Sequence, residues 1–365
     1  MIRRVLLVAL LVLAPAVWGA GAYRIVGYVG SGRPLPGISP EKLDVINFAF
    51  AQVSPQGEVV LENPTAPTTL GDLVALRKRN AQLRIVLSVG GWGAGHFSEA
   101  ALDDASRTRF SASAVAMIER YDLDGVDLDW EYPTLPGPGI SHRPEDRRNF
   151  SLLLENLRGA LDRLGKAHDG KHYLLTIAAA DSEFVAGIEL KRVSRSLDWF
   201  NLMTYDFHTS LTSTTGHHAG LYLSALAPAS DRSADKAIKQ FLAAGVPPKK
   251  LNVGVAFYGR AFGGVTPEHR GVQQPYEKFV GAPSWQELLA GYIGKQGFVR
   301  YWDDKAQAPY LWNAQTRTFI SYEDPQSLAL KAAYVKAHGL GGVMYWEHSL
   351  DRNEQLLDVL VKGLH

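Results

Sequence analysis

Eight short, nearly unbroken apolar runs recur along the chain: YRIVGYV (23–29), DVINFAF (44–50), LRIVLSV (83–89), LDGVDLDW (123–130), YLLTIAA (173–179), WFNLMTY (199–205), LNVGVAF (251–257) and LGGVMYW (340–346). A strand covered on both faces needs this continuity, whereas a half-exposed strand would alternate. Between them, FSASAVAMIERY (110–121) and NFSLLLENLRGALDRLG (149–165) return apolar residues every three or four positions, the helical period. DPQSLALKAAYVKAHG carries Asp324 as a cap, Pro325 at the first helical position and Gly339 as a stop. Eight βα units predict an α/β fold of the (β/α)8 TIM barrel type. The competing open, doubly wound sheet would need a G-x-G-x-x-G turn after the first run, and none is there.

Between the seventh and eighth runs lie roughly eighty residues, far more than a βα connection requires. They contain WQELLAGY and a β-rich stretch from Phe298 to Tyr322. This predicts a small α+β insertion at about 261–322, between strand seven and the last helix, walling a binding site on the catalytic face. No Pro/Ser-rich linker, internal repeat or appended binding module is visible, so residues 23–365 read as one catalytic barrel.

The 365 residues are 46% hydrophobic and 21% charged, as in a globular protein with a substantial core. A net charge of +1, without basic runs, gives no sign of a nucleic-acid partner. Residues 1–22 read as an export leader: Arg3 and Arg4, an apolar run from Val5 to Ala14, then Ala20-Gly21-Ala22 as cleavage site. That run is too short to span a bilayer. The mature protein is expected outside the cytoplasm, extracellular or periplasmic, and away from the membrane once the leader is cut near Ala22. With no cysteine, its stability must come from the core.

The chemistry concentrates in DGVDLDWEYP (124–133). Asp is depleted in strands and almost never buried without a partner, yet this apolar run holds Asp124, Asp127, Asp129 and Glu131. Alternation points Asp127, Asp129 and Glu131 the same way, about 6.6 Å apart per step, towards the barrel interior. Such crowded carboxyls hold a shared proton at neutral pH. Glu131, at the C-terminal rim, is placed to give that proton to a glycosidic oxygen. Mg²⁺ or Ca²⁺ binding is disfavoured, because same-face residues of one strand rarely wrap an ion, so no metal or cofactor is expected. Asp129 and Glu131 project in one direction and cannot flank a sugar, so a nucleophile must come from elsewhere. It is either Asp206, in MTYD, or part of the substrate.

These residues resemble glycoside hydrolase family 18, the chitinases. DGVDLDWE fits that family's D-x-x-D-x-D-x-E signature, and LSVGG (87–91), MTYD (203–206), FYGR (257–260) and VMYWE (343–347) fit its strand ends. The resemblance spans essentially the whole mature chain, insertion included. It implies Glu131 as proton donor and Asp129 orienting the substrate's N-acetyl group, whose carbonyl oxygen attacks the anomeric carbon to form an oxazolinium. It further implies Asp127 sharing a proton with Asp129, Tyr205 hydrogen-bonding the acetamido group and Asp206 holding the distorted sugar. Asp124 and Ser88 become supports behind the site. Trp346 would lie under the reacting sugar, with Tyr28, Phe50, Met203 and Tyr258 around it. Gly91 and Trp92 would form the leaving-group side, and Arg260 would hydrogen-bond the sugar.

The loop TSLTSTTGHHAGLY (209–222) departs from the family, which usually places Gly, a small residue and Trp there. Leu211 offers little stacking surface, and His217 and His218, with no acidic partner nearby in sequence, read as loop or rim residues. The expected activity is chitin hydrolysis with retention, by a monomer acting on chitin or chito-oligosaccharides. A glycan-binding relative would usually lack the Glu that stands here at 131. An endo-β-N-acetylglucosaminidase acting on N-glycans would tend to be shorter and to diverge at Trp130-Glu131-Tyr132.

Overall fold

All eight apolar runs form strands: β1 (Arg24–Gly30), β2 (Val45–Val53), β3 (Arg84–Gly90), β4 (Gly125–Asp129), β5 (Leu174–Ala179), β6 (Trp199–Leu202), β7 (Leu251–Ala256) and β8 (Gly342–Trp346). This computed structural model describes residues 23–32 and 37–365, so the expected leader lies outside the described residues. The strands pair in parallel in chain order, and β8 closes onto β1 with Val343 opposite Ile25. The register matters for the site. It sets Ser88, Asp127 and Thr176 side by side on β3, β4 and β5, and Asn201 beside Asn252 on β6 and β7.

Alternation splits each strand between two apolar layers. Val126 and Leu128 point outwards into the core shared with the helices, where Leu153, Leu157 and Leu161 of the helix Asp146–Ala167 are buried. Val26, Tyr28, Val86, Tyr205 and Met344 fill the barrel itself. Asp324 caps the helix Pro325–Ala337, its Oδ1 accepting from the N–H groups of Gln326 and Ser327, both at 3.0 Å. A further helix, Gln355–Leu364, follows β8.

Between β7 and the helix Pro325–Ala337 lies a five-stranded antiparallel sheet, beginning at Arg260 and ending at Ser321. It has its own core of Phe262, Val265, Val272, Tyr310, Trp312 and Phe319. The loop after β6 is fastened to the insertion, at the segment between its first two strands. Thr214 bridges Pro275, the Thr215 N–H donates to Gln274 O at 2.9 Å, and Tyr276 Oη donates to Thr212 O at 2.6 Å. Behind it, Asp231 receives Gln273 Nε2 at 2.6 Å and lies 3.1 Å from His208 Nε2. A fully buried pair, Lys331 Nζ to Glu323 Oε2 at 2.8 Å, joins the helix to the end of β7, where Glu323 Oε1 accepts from the Ala256 N–H at 3.0 Å.

Candidate active site

Asp127 is 0% exposed and sits on the barrel axis among hydroxyls. Tyr28 Oη and Ser88 Oγ both donate to its Oδ2 at 2.7 Å, and Thr176 Oγ1 donates to Oδ1 at 2.5 Å. Asn201 Nδ2 adds a contact at 3.3 Å, held in turn by Asn252. Nothing adjacent in sequence offsets the charge of this residue; donors from four other strands do, because the register brings them level. Burial still lifts its pKa above the usual carboxylate value, against the pull of the hydroxyl donors.

One step along the ladder, Asp129 is buried with its Oδ1 unpartnered among the described residues. Burial pushes its pKa far up, and the charges of Glu131 and Asp127 add to this. At the rim, Glu131 is half-buried, and burial raises its pKa to about 7. A hydrogen bond from Tyr132 opposes that rise and the charge of Asp206 reinforces it. The shared proton expected of the ladder therefore has a physical basis, with Glu131 half-protonated near neutrality.

Asp206 lies at the end of MTYD with a left-handed φ of 55°. Arg260 holds it in a fork, Nε to Oδ1 at 2.7 Å and Nη2 to Oδ2 at 2.5 Å. Burial alone would raise its pKa, but the nearby His218 ring and the hydrogen-bonded fork from Arg260 hold it well below the usual range.

The aromatic residues gather as a floor. Phe50 and Trp346 stack with ring centroids 5.5 Å apart, and Tyr28 leans on Trp346 at 5.6 Å. Gly91, at φ +94°, lets the Phe50 ring lie against its backbone, since a Cβ there would stand 2.7 Å from Phe50 Cε2. Tyr205 packs edge-on against Tyr258, its hydroxyl 3.7 Å from Met344 Sδ. Trp92 projects into solvent, 58% exposed. A cleft of about 300 Å³ is lined by Phe50, Trp92, Asp129, Glu131, Met203, Tyr205, Asp206, Tyr258, Arg260 and Trp346, with Ala282 and Leu350 added. Tyr28, Asp127 and Gly91 stand behind this lining. Beyond the Phe50–Trp346 stack a second cleft of about 390 Å³ continues past Gln52, Glu62 and Asn63.

Two expectations need correcting. Asp124 does not support the site: it precedes β4 at the opposite mouth of the barrel. There it accepts from the Ile85 N–H at 2.9 Å and pairs with Arg77, Arg84 and Lys171. His217 and His218 are not rim residues. Both are buried against carboxylates, His217 Nε2 3.0 Å from Asp303 Oδ2 and His218 Nδ1 3.5 Å from Asp206 Oδ1. Leu211, expected to offer little stacking surface, is 79% exposed. The sequence reading also passed over Thr176 and Asn201. It missed Arg232 too, which pairs with Asp181 and lies over Phe184, the ring that packs on Tyr132 at 4.5 Å.

Residues 24–351 match the pattern of glycosyl hydrolases family 18. Chitinase A1 of Niallia circulans is 37% identical over 94% of this chain, which spans only 59% of that relative's length. Among solved structures, a family 18 N-acetylglucosaminidase from Paenibacillus barengoltzii superposes with a TM-score of 0.88 at 44% identity, covering 94% of this chain and 100% of that one. A chitinase from Bacillus thuringiensis superposes at 0.89 with 36% identity, covering 94% of this chain and 70% of that one.

Proposed function

The chain belongs to glycosyl hydrolases family 18, and from that premise we propose that it hydrolyses β-1,4 linkages between N-acetylglucosamine units of chitin and chito-oligosaccharides with retention. One observation carries the reading: a carboxyl with a pKa of about 7, Glu131, stands at an aromatic-floored cleft directly above a carboxyl pair that burial keeps protonatable. Protonated Glu131 gives its proton to the glycosidic oxygen as the C1–O bond breaks. Asp206 is committed to Arg260 and is poorly free to attack, which supports the substrate's own acetamido oxygen as nucleophile. Asp129 orients that acetamido group and stabilises the oxazolinium, and Tyr205 hydrogen-bonds it. Water then attacks C1 and returns a proton to Glu131. Asp206, kept charged, holds the distorted sugar with Arg260, and Trp346 with Phe50 carries its apolar face. The leader-like residues 1–22 support action outside the cytoplasm.

A second reading is release of single N-acetylglucosamine units. It is favoured by the Paenibacillus N-acetylglucosaminidase, which this chain spans end to end. The second cleft beyond Phe50–Trp346 speaks instead for binding more than one sugar.

The test is hydrolysis of chitin oligosaccharides by wild type and Glu131→Gln, with products sized by mass spectrometry and binding measured in parallel. Turnover is expected to fall by about 10²–10⁴-fold in the variant with binding retained. Monomer as sole early product would select the second reading. Wild-type binding without cleavage would make the protein a glycan-binding relative, and cleavage of N-glycans alone would move the substrate to their chitobiose core.

A further inference from the structure

His218 is 0% exposed and lies in a loop that the expected chemistry does not use. Its backbone is fixed on both sides: its N–H donates to Ser321 Oγ at 2.8 Å and its carbonyl accepts from the Phe207 N–H at 3.0 Å. The ring is thereby held against Tyr258, centroids 5.4 Å apart, with Nδ1 3.5 Å from Asp206 Oδ1. Three charged groups face it: Asp206 from the end of β6, Arg260 from the first strand of the insertion, and Lys331 from the helix Pro325–Ala337. Lys331 is itself neutralised by Glu323 at 2.8 Å. Two cations beside a desolvated imidazole disfavour a third, and the ring's pKa is lowered, burial being the largest cause. A neutral imidazole facing a carboxylate puts its single N–H on Nδ1, and Nε2, buried with no partner among the described residues, is left unprotonated.

We propose that His218 is a positioning residue: a neutral Nδ1–H donor, fixed by Ser321 and Phe207, that holds Asp206 in the orientation in which Arg260 forks it and its charge faces the cleft. Arg260 alone would leave Asp206 free to swing with the guanidinium. Two donors from different elements, the loop after β6 and the insertion, fix its plane. The inference rests on the family 18 reading of the cleft.

The experiment measures kcat/KM against pH on a chitin oligosaccharide for wild type, His218→Asn and His218→Leu, with thermal melting as a folding control. The Asn amide can place a donor where Nδ1 lies; Leu cannot. The Leu variant should lose about tenfold in kcat, the worth of one charge-assisted hydrogen bond. Its acid limb should also move to higher pH, because Asp206 loses a donor that keeps it ionised, while the basic limb stays in place. The Asn variant should remain within about threefold of wild type at its optimum. His218→Thr, too short to reach Asp206, carries the same expectation as Leu if the Leu variant does not fold. A Leu or Thr variant with the wild-type rate and profile overturns the proposal, as does an Asn variant that falls as far as Leu. Absence of hydrolysis by wild type would instead overturn the family 18 reading of the substrate.

Discussion

Arg260 and Asp206 share two parallel hydrogen bonds, at 2.7 and 2.5 Å, so the arginine expected to reach for sugar is first of all the partner of a carboxylate. The charge it stabilises is felt at Glu131, where burial and Asp206 together raise the pKa to about 7. A general acid must be protonated, so kcat/KM should fall as pH rises through about 7. In Asp206→Asn the negative charge is gone and Arg260 is released, and both changes favour the Glu131 carboxylate. The basic limb should therefore move to lower pH. A pH–rate profile whose basic limb stays at 7 in the variant would mean that Asp206 does not act on Glu131.

Asp129 should be a liability to the fold. Its folded-state pKa is raised by burial, so the native protein binds a proton that the unfolded chain releases. The cost is absent below the unfolded carboxyl pKa of about 4 and grows as pH rises above it. Asp129→Asn should consequently melt higher than wild type at pH 7, by roughly 2 °C per kcal/mol recovered, and show no gain at pH 3. Activity should be lost at the same time. Equal melting shifts at both pH values would refute the assignment.

Trp92 is 58% exposed, and its removal should barely change stability. If it is a platform on the leaving-group side, Trp92→Ala should raise KM severalfold for long oligosaccharides. Hydrolysis of a short glycoside with an aryl leaving group should change little. Parallel losses on both substrates would place Trp92 elsewhere in the reaction.

The buried Lys331–Glu323 pair is tied to Ala256 at the end of β7, just before Tyr258 and the insertion strand that begins at Arg260. Lys331→Met strands a buried carboxylate and should cost about 3–5 kcal/mol, whereas Lys331→Met with Glu323→Gln should recover much of it. Denaturant melts of the single and double variants decide this. A single variant as stable as wild type would show that the pair is dispensable.

What the sequence made legible follows from geometry within single elements. A parallel barrel strand is buried on both faces and so reads as a continuous apolar run, which is why β1 to β8 stood where expected within a few residues. The Asp127–Asp129–Glu131 ladder was legible because its two-residue period is local, beginning in β4 and running two residues past its end. Contacts between elements were not. Asp303 lies 86 residues from His217, and Ser321 lies 103 from His218, so nothing local marked either histidine as buried. Asp124 was misplaced because a strand has two ends: three residues before Asp127 is about 10 Å away, at the other mouth of the barrel.

The fastening of the loop after β6 to the insertion has a consequence for how such an enzyme can change. Thr214 on Pro275, Tyr276 on the Thr212 carbonyl and Gln273 on Asp231 make one wall out of two segments far apart in the chain. A change of length in either segment must be matched in the other, or the wall tears. Grafting the insertion of a relative into this barrel should therefore succeed only when its β6 loop travels with it.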